Sequence, residues 1–315
     1  MTEHRRLGST ELETPPLVLG GNVFGWTADK ATSFAVLDRF VERGGAMIDT
    51  ADVYSAWVSG HKGGESETVI GEWLARSGKR DRVLIATKVG MLPTDAGEKL
   101  QPAHIERACE ASLKRLGTDR IDVYFAHRDD ENTPQEEALA AFARLVEAGK
   151  VRVLGASNFH AGRLNSANDA ARAAGLPHYH VLQPEYNLVS RKSFEGELQN
   201  YSVEHNIAVT PYYGLASGFL TGKYRSAEDF GKSPRGGRMQ KMLDEQGGML
   251  DAMDAVATET GASLAQIALA WLAAQPGVTA PIASATSVEQ LDELMGSLDL
   301  DLTRDQLERL TNAGA

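Results

Sequence analysis

Short runs of Val, Ile and Leu alternate along this chain with longer stretches in which apolar residues recur every three or four positions. The runs are Leu17–Leu19, Met47–Asp49, Val83–Lys88, Ile121–His127, Val151–Ser157, His180–Pro184, Ile207–Pro211 and Val278–Ala283. They are continuously apolar, as expected of strands covered on both faces in a parallel sheet. The intervening stretches predict helices over roughly Lys30–Arg43, Ser66–Arg76, Pro102–Arg115, Thr133–Ala148, Ala161–Ala174, Phe194–Glu204, Ser263–Ala274 and Val288–Gly296. Thr133-Pro134 reads as a cap followed by proline at the first helical position. Gly44-Gly45, Gly117, Gly149 and Gly175 fall where helices should stop. Strand–helix alternation predicts βαβ units, and eight of them predict an α/β fold of the (β/α)8 TIM-barrel type rather than an open doubly wound sheet. No Gly/Ser linker or shift in composition breaks the pattern, so residues 1–315 read as one barrel domain.

Two stretches stand outside the repeat. Arg5–Leu7, Gly8-Ser9-Thr10 and Leu12–Thr14 predict a short N-terminal β-hairpin. The glycine-rich segment from Gly214 to Arg238 follows the seventh strand and is too long for an ordinary connection, which marks it as a lid or binding loop.

Composition narrows the classes. A chain of 315 residues buries about three quarters of its unfolded surface and needs no disulfide or metal to build a core. The 32 Lys and Arg against 43 Asp and Glu give a net charge of −11, which argues against nucleic acid or an anionic membrane as partner. The single cysteine, Cys109, excludes an internal disulfide and suits a reducing compartment; within a helical pattern it reads as a small core residue. The polar N-terminus shows no secretory signal, and no apolar stretch reaches the roughly 18 residues of a membrane span, so a cytoplasmic location is expected.

Active sites in such barrels form at the carboxyl ends of the strands. The second strand ends in Asp49, with Tyr54 in the loop beyond; the third ends in Lys88 and the fourth in His127. An acid, a phenol, an ammonium and an imidazole on neighbouring strand ends form a coherent set. A phenol titrates near 10, and a neighbouring ammonium is expected to lower that value. A buried lysine needs a carboxylate partner, a task for Asp49, while His127 can orient a substrate oxygen. Val23, Phe24 and Trp26 after the first strand, Trp57 and Val58 after Tyr54, and Arg128 after His127 predict an aromatic-lined substrate pocket. Gly20 and Gly21 end the first strand, where a small residue lets backbone approach a ligand, although turning the chain explains them equally well.

These motifs resemble the aldo-keto reductases over nearly the whole chain. The similarity is carried by Asp49-Thr50-Ala51-Asp52-Val53-Tyr54, Gly63-Gly64-Glu65-Ser66-Glu67, Ile70-Gly71, Ala86-Thr87-Lys88 and Asp122-Val123-Tyr124-Phe125-Ala126-His127. It continues in Gly155-Ala156-Ser157-Asn158-Phe159, Gln183-Pro184-Glu185-Tyr186-Asn187 and Leu220-Thr221-Gly222-Lys223-Tyr224. The resemblance implies reduction of aldehydes or ketones by a nicotinamide cofactor, with Tyr54 as general acid tuned by Lys88 and Asp49, and His127 positioning the substrate. It implies that Ser157, Asn158 and Gln183 hold the nicotinamide carboxamide and that Tyr212 stacks on its ring. Gly21, Asn22, Asp49, Tyr213, Leu215, Ser217, Lys223, Arg238, Ser284, Ser287, Gln290 and Glu293 complete the implied cofactor set.

The departures concern the cofactor. Tyr213-Gly214-Leu215 stands where many members carry a Ser-Pro-Leu type sequence, so a phenol replaces a small hydroxyl. Ser284, Gln290 and Leu294 occupy the positions where the family commonly places a Lys, an Arg and an Asn for the 2′-phosphate and adenine. Without those cations the charge-assisted grip on a 2′-phosphate is lost, unless Arg235 or Arg238 replaces it. NADP(H) is expected, with NAD(H) close behind. The substrate is expected to be a small carbonyl compound, and the sequence specifies no oligomeric state. Two other classes compete. A metal-dependent barrel hydrolase would draw on His178-Tyr179-His180, which has a metal-binding spacing but lies at the start of a strand, on the stability face, and no metal is expected. A nicotinamide-sensing barrel without turnover, like the cytoplasmic subunits of some potassium channels, does not need a tuned phenol.

Overall fold

The computed structural model describes residues 3–232 and 239–313, so Arg235 and Arg238 lie outside the described residues. In chain order the elements are β1 (Arg5–Arg6), β2 (Glu13–Thr14), β3 (Val18–Gly20), α1 (Lys30–Glu42), β4 (Met47–Asp49), α2 (Glu65–Ser77), β5 (Leu84–Val89), α3 (Pro102–Leu116), β6 (Ile121–Ala126) and α4 (Gln135–Glu147). They continue with β7 (Val151–Ser157), α5 (Ala161–Ala173), β8 (Tyr179–Gln183), α6 (Glu197–Glu204), β9 (Ala208–Val209), α7 (Met239–Thr260), α8 (Leu264–Ala273), β10 (Ile282–Ala283), α9 (Val288–Met295) and α10 (Arg304–Ala313).

Strands β3 to β10 form one parallel eight-stranded sheet in the order β10-β3-β4-β5-β6-β7-β8-β9. A parallel bridge between Val209 and Val278 closes the ring. Thr279 N–H donates to the Val209 carbonyl at 2.8 Å and Ile282 N–H to the Pro211 carbonyl at 2.9 Å across the same seam. The (β/α)8 architecture thus follows the alternation in the sequence. β6 is buried at every position because its inward residues fill the lumen and its outward ones pack under helices.

The lumen is packed rather than hollow. Val18, Met47, Ala86, Val123, Phe125, Val153, Val181, Ala208, Ala280 and Ile282 form one apolar cluster, completed from below by Leu7 and Leu12 of the hairpin. Gly155 matches Phe125: a Cβ there would lie 2.4 Å from the ring. Outside the barrel, Gly71 lets α2 approach α3, where a Cβ would stand 2.2 Å from the Arg115 carbonyl oxygen. At the base, Asp122 is 1% exposed and accepts from Ile85 N–H at 2.8 Å, Arg80 Nη2 at 2.8 Å and Arg152 Nη1 at 2.8 Å.

Three details differ from expectation. Pro134 occupies the cap position of α4 rather than its first turn, because the Thr133 hydroxyl is committed to Asp130 at 2.7 Å. The segment after Tyr213 is not plain loop; it contains 3-10 turns over Ala216–Thr221 and Ala227–Lys232. Helices α7 and α10 stand where the sequence pattern predicts no helix. No helix among the described residues is long and apolar enough to cross a membrane.

Candidate active site

Parallel pairing sets the site. Asp49 is in register with Ala86, Lys88 with Phe125, and Ser157 with Gln183, so polar strand ends line one rim. There Lys88 Nζ, fully buried, donates to Asp49 Oδ2 at 2.7 Å, to the Thr50 carbonyl at 2.7 Å and to the Tyr54 hydroxyl at 3.1 Å. Gln183 Nε2 donates to the other Asp49 oxygen at 2.8 Å. The His127 ring lies edge-on to Tyr54 with centroids 6.1 Å apart.

The electrostatics correct one expectation. Burial pushes the Tyr54 phenol above its ordinary value, and the Lys88 ammonium, which pulls the other way, offsets only part of that rise. The proton therefore stays on Tyr54 at neutral pH. Burial pulls the Lys88 ammonium down, but the Asp49 charge and the Tyr54 oxygen outweigh it, so the group is held above the ordinary lysine value. Burial, reinforced by the Lys88 and Arg128 cations, drops His127 well below its usual range and leaves a neutral imidazole.

From this rim a cavity of about 630 Å³ opens between Gly20, Asn22, Val23 and Trp26 on one side and Tyr212, Tyr213, Gly214 and Leu215 on the other. It ends at Ser284, Thr286, Gln290, Glu293 and Leu294. Gly20 is required there, since a Cβ would lie 2.4 Å from Ser284 Oγ. Ser284 Oγ itself donates to Asn22 Oδ1 at 2.6 Å. Tyr213, Ala216 and Ser217 hold φ of 67°, 46° and 56°, a cluster of left-handed non-glycine residues in one cavity-lining turn. Within it the Ser217 and Tyr213 hydroxyls lie 2.6 Å apart. Lys223 is the cation among the described lining residues.

Several expected residues lie outside the cavity wall. Phe24 is fully buried in the packing behind the first strand and does not reach the pocket. Its loop turns it inward, Phe24 N–H donating to the Gly21 carbonyl at 3.0 Å. Gly21 stands behind the wall, its N–H donating to the Asp49 carbonyl at 2.7 Å. Ser157, Asn158 and Gln183 form a chain of bonds rather than cavity wall: Ser157 Oγ donates to the Gln183 carbonyl at 2.8 Å and Asn158 Nδ2 to the His127 carbonyl at 2.9 Å. The Tyr212 hydroxyl donates to Asn158 Oδ1 at 2.8 Å. Ser287 caps α9, accepting from Gln290 N–H at 3.2 Å. Trp57 is 49% exposed and stands edge-on to Trp26 and Tyr54, while Arg128 lies exposed beside His127.

Sequence reasoning missed Thr27, Thr221, Ala265 and Thr286 in the cavity wall and the Thr50 carbonyl at Lys88. Thr286 precedes the Ser287 cap, a position that signals a helix start and thus a strand-to-helix loop. Nothing in the sequence marks a carbonyl or an apolar Ala265.

A profile of the Aldo/keto reductase family matches residues 16–315. An uncharacterized oxidoreductase, YrpG, of Bacillus subtilis is 33% identical over 98% of this chain and 95% of its own. A probable voltage-gated potassium channel subunit beta of Arabidopsis thaliana is 32% identical over 95% of this chain and 92% of its own. The aldo-keto reductase yakc [NADP(+)] of Schizosaccharomyces pombe is 32% identical over 92% of this chain and 84% of its own. With the barrel, its polar rim and this match along almost its full length, the chain belongs to the aldo/keto reductase family.

Proposed function

We propose that this protein reduces aldehydes or ketones to alcohols with hydride from a nicotinamide dinucleotide, and that Tyr54 donates the proton. The observation that carries this reading is the Lys88 ammonium, bonded at once to Asp49 at 2.7 Å and to the Tyr54 hydroxyl at 3.1 Å at the head of the cavity. Negative charge develops on the carbonyl oxygen as hydride arrives, and the Tyr54 proton moves to that oxygen. The Lys88 ammonium stabilises the phenolate left behind, and Asp49 keeps the ammonium charged and in place. Neutral His127 offers one N–H to the same oxygen and adds no charge of its own.

The cavity fits an extended dinucleotide: it has chemistry at one end, glycine and left-handed backbone along its length, and hydroxyl and amide groups at the other. When bound, that cofactor supplies the hydride. Lys223 supports a preference for NADP(H), while Glu293 opposes a 2′-phosphate at the far end. Comparing KM for NADPH and NADH decides it; equal or better use of NADH overturns the preference. The primary test is Tyr54→Phe with a panel of carbonyls. We expect turnover to fall about a thousand-fold with cofactor affinity nearly unchanged, and near-normal rates would refute the mechanism. The channel-subunit relatives favour one other reading, a nicotinamide sensor with little turnover. Steady-state NADPH oxidation by any aldehyde of the panel argues against it.

A further inference from the structure

The mechanism leaves one buried acid unused. Asp52, in the loop between β4 and Tyr54, is 2% exposed, and neither carboxylate oxygen is hydrogen-bonded to another side chain among the described residues. Its backbone N–H donates to the Lys88 carbonyl at 3.3 Å, which fixes it directly behind the lysine strand. Charged groups surround it on several elements. Glu67 of α2 is fully buried, bonded to Arg115 of α3 at 2.6 Å and to the Thr87 hydroxyl at 2.6 Å, one residue before Lys88. Tyr124 of β6 turns a buried, unpartnered hydroxyl toward the same region and feels the Asp52 charge. Lys88 and Tyr54 complete the set.

We propose that Asp52 is a positioning residue which, acting through the Lys88–Tyr54 pair, sets how readily Tyr54 gives up its proton. A buried carboxylate with no side-chain donor and a second acid nearby is costly, and the cost is relieved by keeping the proton. Burial and then the Glu67 charge push the Asp52 carboxyl up to about 8, opposed by Arg115, the Val53 amide and Lys88. Below that pH the Asp52 carboxyl is neutral, and the ammonium's pull on the phenol is countered by burial and by the Asp49 charge. Above it a second negative charge stands behind the ammonium, raises the proton affinity of Tyr54, and makes the phenol a poorer donor. The inference rests on the reductase reading and assigns that reaction a fall in rate on the alkaline side which belongs to neither Tyr54 nor the substrate.

The test is Asp52→Asn, read in two ways. First, kcat/KM for NADPH-dependent aldehyde reduction is measured from pH 6 to pH 10. The wild type should fall through a midpoint near 8, and in the variant that limb should move up by on the order of one pH unit or vanish. Second, the phenolate ultraviolet absorbance of Tyr54 is isolated by subtracting the Tyr54→Phe spectrum and titrated without substrate. Its midpoint should shift to lower pH in Asp52→Asn. Superimposable profiles in either measurement overturn the proposal. The second readout needs no turnover, so a chain that reduces no carbonyl fails the reductase reading and leaves this one still testable. If Asp52→Asn does not fold, Glu67→Gln replaces it. That change removes the charge that most favours protonated Asp52 and should move the alkaline limb toward lower pH; an unmoved limb overturns the proposal.

Discussion

Asp122 and Asp52 are buried to the same degree, at 1% and 2% exposure, at opposite ends of the barrel, and their surroundings could hardly differ more. Asp122 at the base spends its oxygens on two arginines and a backbone amide. Asp52 at the rim has no side-chain partner bonded to its oxygens and is pushed toward the neutral form. Depth of burial therefore does not decide whether a carboxyl is charged; the donors that meet it do. The base cluster fixes the strands, whereas the rim cluster leaves a phenol and an acid free to change protonation, which is a liability for stability and a resource for chemistry.

The contrast can be pressed at both ends. The largest effect is expected at the rim from Lys88→Met. It strands the Asp49 charge in a dry site, so it should cost about 3–5 kcal/mol in urea unfolding and remove nearly all turnover. A stable, active variant would break the comparison. At the base, Asp122→Ala should cost about 2–3 kcal/mol, since Arg80 keeps the Val83 and Arg120 carbonyls and Arg152 is half exposed. Turnover per folded molecule should survive it. Histidine should add a pH dependence at the base as well. Burial, then His178 and Arg172, hold His180 at about 4, below its ordinary 6.5. The unfolded chain binds that proton first as pH falls, so this stability is complete above about 6.5 and is lost on acidification toward 4. His180→Gln should flatten the decline of Tm between pH 7 and pH 5, and an unchanged slope would clear His180. The smallest effect is expected on the surface. Glu259→Ala breaks the exposed pair with Arg309 and should leave the Tm nearly unchanged; a drop comparable to that of Asp122→Ala would count against the comparison.

How far the sequence speaks follows the same division. The eight strands were legible because each is a predominantly apolar run, and the polar residues that end several of them, Asp49, Lys88, His127 and Ser157, announced the rim. α7 escaped because Gly247-Gly248 sits inside it and reads as a turn. α10 escaped because its burial rests on little more than Gln306 and Leu310. Phe24 misled because an aromatic after a strand end looks like pocket lining, and only the turn that folds it inward shows otherwise. Asp52 had no signal at all: an acid in a loop two residues before a tyrosine is ordinarily solvated, and only tertiary packing removes its water. The direction of the Tyr54 shift was hidden for the same reason, since spacing reveals the neighbouring ammonium but not the dryness that outweighs it.

The hairpin has a consequence for traffic through the molecule. Leu7 and Leu12 stop the barrel from beneath like a bung, above which the lumen is solid side chain. Among the described residues no path threads the lumen, so a molecule held at the strand ends is approached and left from the rim side, and the sealed end serves for stability alone.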